Sequence, residues 1–274
     1  MSLNTIIGHS FQINKIKELL QKDAFPQSSI FSGVEGIGKK LIAFEILKTL
    51  TKSEMNVKVI GTEKGATIEE IRESSSWLFT KPQSGTGKGL IIDNADEMRR
   101  EAANALLKTL EEPPSYGYII LITKNENALL PTIKSRCKIF RFSRLNNSNV
   151  AYILEKQGLE YNEKILKLCG GSPGIAIRLL ESQVPELMEE FSSFLKTKNK
   201  AQNLLKFSSS FANISREEME LFLTALENLL LEKDAFFQWM PLIQKAKSYL
   251  KFFAKPQSVI EWMVLSTLFK KERR

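Results

Sequence analysis

Two stretches of this chain hold residues whose types and spacing suit phosphate chemistry. The first is Gly33-Val-Glu-Gly-Ile-Gly-Lys-Lys40. It follows the pattern G-x-x-x-x-G-K-[ST] at every place but the last. Glycines at 33, 36 and 38 let backbone N–H groups face a phosphate, and the N-terminus of a following helix favours negative charge. Lys39 is placed to reach the β- and γ-phosphates. Position 40 calls for a hydroxyl on Mg²⁺, and Lys40 puts a cation where the metal would sit, so metal binding is expected to be weakened. The second stretch is Gly89-Leu-Ile-Ile-Asp-Asn94, a buried-strand pattern ending in Asp93, an acid suited to helping hold Mg²⁺. An ATPase of this type usually carries a glutamate next, to polarise the attacking water. Asn94 hydrogen-bonds but is no general base near pH 7. Asp96 and Glu97 are out of phase with these groups and read as the first residues of a helix, where the dipole favours them.

The surrounding pattern must position these groups. Apolar runs of strand type fall at 28–33, 57–61, 89–93, 118–123 and 137–142. Between them lie helical stretches at 41–50, 66–79 and 96–112, the second opened by a capping box of Thr67 and Glu70, the third stopped by Pro113 and Pro114. Strands alternating with helices predict an α/β domain with a parallel sheet covered on both faces, whose ligands bind beyond the carboxyl ends of the strands. Gly33 and Asp93 both fall at such ends. After about residue 145 the strands stop. Three short helices with glycine stops are predicted at 147–158, 162–171 and 172–181, then four or five longer amphipathic ones. The expected division is an α/β domain over 1–144, a small helical domain over 145–182 and a C-terminal all-α domain over 183–274.

Composition excludes other chemistries. The one histidine, His9, leaves little material for His-based triads or metal clusters. Cys137 and Cys169 lie far apart and outside any C-x-x-C pair, so neither zinc nor a disulfide is expected. No apolar run is long enough for a membrane span, and the start has no secretory pattern, so a cytoplasmic location and no membrane partner are expected. The net charge of +8 suits a phosphate-rich partner such as DNA, and suits a merely basic soluble protein equally well.

The run EAANALLKTLEEPPSYGYIILIT, followed by ALLPTIKSRCKIFRF, resembles the bacterial clamp-loader proteins of DNA polymerase III, AAA+ proteins related to replication factor C. The resemblance covers about residues 5–180. It implies an AAA+ α/β domain, a helical lid and a C-terminal helical collar. It also implies that Ser135-Arg136-Cys137 is the family's Ser-Arg-Cys motif, whose arginine contacts the γ-phosphate of ATP held by a neighbouring subunit. A planar, permanently charged fork stabilises phosphoryl oxygens. Cys137 reads as a small buried residue rather than a nucleophile. Thr123 matches the first sensor position, although threonine also fits a strand end without any function. Where the family's second sensor has an arginine, this chain has Gly174; Arg178, one turn later, reads either as a partial substitute or as part of a solvated face. Lys40, Asn94 and Gly174 together remove parts of hydrolysis in cis while Arg136, the part that works in trans, is kept.

The resemblance thus points to a non-hydrolysing member of the loader ring, with no cofactor required and weak or vestigial ATP or ADP binding at most. The family's four-cysteine zinc module is missing between the loop helix and the next strand. The implied partners are a gamma/tau-type ATPase, a delta subunit, the sliding clamp, and primer–template DNA through the assembled complex. Two other readings are a divergent ATP-hydrolysing loader subunit and a DNA-binding module outside any loader.

Overall fold

The computed structural model describes residues 3–62, 65–197, 199–231, 236–252 and 254–271. The chain divides into two compact units, residues 1–149 and 150–274.

In the first unit, α1 (Ser10–Gln21) leads to β1 (Ser28–Ser32), α2 (Lys39–Thr51), β2 (Val57–Ile60), α3 (Ile68–Phe79), β3 (Lys88–Ile92), α4 (Arg100–Glu111), β4 (Gly117–Thr123), α5 (Pro131–Lys134) and β5 (Lys138–Arg141). The five strands form one sheet in the order β2-β3-β4-β1-β5, and every pairing is parallel. Ile30 sits opposite Leu121 on one side and Ile139 on the other.

Both faces of this sheet are covered, which explains the unbroken apolar runs. Side chains alternate across a strand. Ile30, Leu90, Ile92, Ile119 and Leu121 therefore pack with Ile71 and Leu78 of α3 and Leu106 of α4. Phe31, Ile91, Ile120 and Ile122 face the other way, onto Ile16 of α1 and Ile42 and Ile46 of α2. A central strand with a polar face would leave those groups without water, so the sequence reads as apolar throughout. The exceptions are the buried Ser28, Ser29 and Ser32 of β1, Thr123 at the end of β4, and Lys88 at the start of β3, which donates to the Trp77 carbonyl at 2.9 Å.

The capping box at the start of α3 forms as expected. Thr67 accepts from the Glu70 amide at 3.2 Å, and Glu70 accepts from the Thr67 amide at 2.8 Å. The start of α4 differs from expectation. Ala95–Glu97 form a separate 3-10 turn, Met98 and Arg99 are extended, and the helix begins only at Arg100. Asp96 and Glu97 thus stand in the first turn of this short 3-10 helix and not in that of α4. The α1 and α5 helices were not evident in the apolar pattern.

The second unit is all helical. Helix α6 (Asn147–Lys156) begins just before the division, followed by α7 (Glu163–Cys169), α8 (Pro173–Leu180), α9 (Val184–Lys196), α10 (Lys200–Ser208), α11 (Arg216–Leu230), α12 (Phe236–Lys251) and α13 (Pro256–Lys271). Gly170 ends α7 in the left-handed conformation, φ +54°, a position where glycine carries no Cβ penalty. Phe191 of α9 packs edge-on against Phe222 of α11 and Trp239 of α12, and Phe194 stacks on Phe207 of α10 at 4.4 Å between ring centroids.

Candidate functional site

The carboxyl ends of β1, β3 and β4 lie side by side in the sheet, and the loop, Asp93 and Thr123 follow from them. A cavity of about 740 Å³ opens there. Gly36, Gly38, Lys39, Lys40, Asp93, Asn94, Thr123 and Lys124 all line it. Residues separated by up to 88 positions in the chain are brought together because their strands are neighbours.

The loop turns through glycines in the left-handed region. Gly36 and Gly38 have φ of +75° and +93°, and Lys39 opens α2. Gly33 cannot be replaced without movement, because a Cβ there would run into the Phe142 carbonyl. Its amide donates to the Thr123 carbonyl at 3.2 Å, which ties the loop to β4. His9, buried beneath the loop, bonds through Nε2 to the Ile37 carbonyl at 2.9 Å. Burial lowers its pKa, against the pull of that bond.

The charged groups of the cavity are engaged with one another. Lys39 Nζ donates to the carbonyls of Gly33 and Val34, both at 2.6 Å. Burial pulls its pKa down to about 8, opposed by the charges of Asp93, Glu35 and Asp96. Lys40 Nζ lies 3.2 Å from Asp93 Oδ2. Asp93 Oδ1 accepts from the Asn94 amide at 3.0 Å. Each oxygen of the acid thus has one partner within the chain. A divalent ion bound in the family's manner would need a hydroxyl at position 40 and an open oxygen on Asp93, and it meets an ammonium instead. These residues do not fit Mg²⁺.

Asn94 is turned away from a catalytic role. Its Nδ2 donates to the carbonyls of Gly61 and Thr62 at 3.1 and 3.3 Å, pinning the end of β2 to the end of β3. Thr123 is buried, and its hydroxyl accepts from the Asn125 amide at 2.9 Å.

Two features were not read from the sequence. Lys124 donates to Glu97 at 2.6 Å, and its amide donates to Asp96 at 3.3 Å. Burial would lower the Lys124 pKa, but the Glu97 bond and the neighbouring carboxylates outweigh it and raise it. This explains why Asp96 and Glu97 stand outside α4: they serve the end of β4. The second case is the ion pair of Arg136, which follows α5. Its Nη2 pairs with Glu111, the last residue of α4, and its Nη1 donates to the Thr132 carbonyl at 3.0 Å and to Ser135 Oγ at 3.3 Å.

Ser135, Arg136 and Cys137 do not line the cavity. Cys137 is half-buried against the α3–α4 face of the sheet, and burial pushes its thiol up to about 12, far from a reactive thiolate. Gly174 and Arg178 both lie on α8 of the second unit.

Comparison with known proteins agrees with this geometry. Residues 51–146 match the family described as DNA polymerase III, delta subunit. The chain is 30% identical over 210 residues to a DNA polymerase III subunit gamma from Buchnera aphidicola, an overlap of 66% of this chain and 58% of that one. It is 34% identical over 143 residues to a DNA polymerase III subunit delta' from Pseudomonas aeruginosa, 49% of this chain and 43% of that one. The chain thus spans less than two thirds of the length of these curated relatives. Among solved structures, a DNA polymerase III gamma subunit-related protein from Thermotoga maritima superposes with a TM-score of 0.60 at 18% identity, covering 91% of this chain and 97% of that one, a likeness of fold. Over residues 51–146 the chain is similar to the DNA polymerase III delta-subunit family, and over about two thirds of its length to DNA polymerase III gamma subunits.

Proposed function

We propose that this chain is the delta-prime-type, non-hydrolysing subunit of a bacterial DNA polymerase III clamp loader. Helices α6–α8 act as its lid and α9–α13 as its part of the collar. Its partners are a gamma/tau-type ATPase, a delta subunit and the sliding clamp, with primer–template DNA held by the assembled complex in the cytoplasm. The observation that carries the reading is the state of Asp93: Lys40 and the Asn94 amide occupy both of its oxygens. Hydrolysis in cis would need a metal beside Asp93 and a base next to it; the Lys40 ammonium stands beside the acid and position 94 is an asparagine. Asn94 holds Gly61 and Thr62 instead of a water.

What this chain supplies is Arg136. Little covalent chemistry falls to the protein in phosphoryl transfer, so catalysis is positioning and charge stabilisation. A guanidinium delivered from a neighbouring subunit stabilises the charge on the transferring phosphoryl group without titrating. Its one-third exposure and its bond to the Thr132 carbonyl of its own turn support such a use.

A second reading, a divergent ATP-hydrolysing subunit of gamma/tau type, draws support from the retained Lys39 and the cavity it lines. The two are separated by Lys39→Ala in this chain alone, assembled with its loader partners. The non-hydrolysing reading expects ATP turnover by the loader to be unchanged. A loss of turnover would favour the divergent ATPase.

A further inference from the structure

Arg136 has a carboxylate partner within its own subunit, and this bears on how the arginine is used. Nη1 is held by the Thr132 carbonyl and by Ser135. These belong to the arginine's own turn, so they already fix where the guanidinium sits. Nη2 is held by Glu111, 25 residues earlier and on a different helix. Glu111 therefore adds little to placement. It adds a negative charge on the guanidinium, at one of the edges a phosphate oxygen would use.

Carboxylate and phosphate oxygens bind the arginine fork in the same way. They also repel each other at contact distance, so the fork does not hold both on one edge at full strength. The Glu111 side chain is 47% exposed and that of Arg136 33%. A pair this open is weak and screened. It neutralises the arginine while the subunit is alone and gives way when a more highly charged oxygen cluster arrives.

We propose that Glu111 is an intramolecular stand-in for the phosphate. It pairs with Arg136 in the unengaged subunit and is exchanged for the γ-phosphate of the neighbour's nucleotide on engagement. The proposal rests on the reading of Arg136 as an arginine used in trans. Glu111 is then a positioning residue acting through Arg136. It sets how readily the arginine engages, and it does not set the rate once engaged.

The test is steady-state ATPase of the loader reconstituted from this chain with its gamma-type and delta partners, on primed DNA with the clamp. Glu111→Gln is near-isosteric at a half-exposed helix end, and Glu111→Ala is a second variant should the amide form a new bond. Both are expected to lower the KM for ATP by about two- to fivefold at low salt, with kcat unchanged. The gain should shrink as salt is raised and vanish in an Arg136→Ala background. A KM that is unchanged or raised in both variants, with Arg136→Ala still abolishing turnover, overturns the role of Glu111 and leaves the arginine reading standing. Unchanged turnover in Arg136→Ala overturns both.

Discussion

Lys40 Nζ stands 3.2 Å from Asp93 Oδ2, so an ammonium lies beside the acid at the end of β3. Restoring the hydroxyl should reverse this. Lys40→Thr frees one oxygen of Asp93 and supplies the missing ligand type. A fluorescent ATP analogue titrated into the variant should bind about tenfold more tightly with Mg²⁺ than without, on the order of 1.4 kcal/mol. The parent chain should show no such difference. The cost in stability should stay within about 1 kcal/mol, because the lysine is half exposed.

Lys39 makes a pH-dependent prediction. Burial pulls its pKa down to about 8 in the folded chain, whereas an unfolded lysine titrates at about 10.4. Between those values the unfolded chain binds more protons than the folded one. Stability from this group therefore rises with pH across that window and is flat below about 8. Lys39→Met removes the group, so its urea midpoint should rise less than the parent's between about pH 8 and 10. Parallel profiles would mean that the ammonium is solvated rather than buried against Gly33 and Val34.

The two capping boxes offer a control in each unit. Thr67 caps α3 and Ser215 caps α11, each with a glutamate three residues on that bonds back to the cap amide. Thr67→Ala and Ser215→Ala should each cost about 1 kcal/mol, read by urea denaturation. Neither should change loader ATPase, since neither residue lines the cavity or touches Arg136.

The parts of the fold legible in the sequence are those with local causes. The strands are apolar because both faces are buried, and Thr67 with Glu70 announces α3. The α1 helix carries no such sign: its cap is His9 in the left-handed conformation, with no side-chain bond. The start of α4 was misread because Asp96 and Glu97 suit a helix N-terminus locally, yet Lys124 from the end of β4 claims both. The site shows the same division. Spacing alone brought the loop residues and Asp93 to one end of the sheet. The side-chain exchanges that define their state, Lys40 with Asp93 and Glu111 with Arg136, join residues 53 and 25 positions apart. No periodicity signals such pairs; they appear only once α2 packs on β3 and α5 on α4.

The most direct measurement is ATP turnover by the reconstituted loader when Arg136→Ala is introduced in this chain and nowhere else. An arginine supplied in trans is worth about 10³–10⁵ in rate in related phosphoryl transfers, so turnover should collapse by about that order while the complex still assembles on size exclusion. An intact complex that hydrolyses ATP at the parent rate would contradict the assignment of Arg136 to the neighbour's nucleotide.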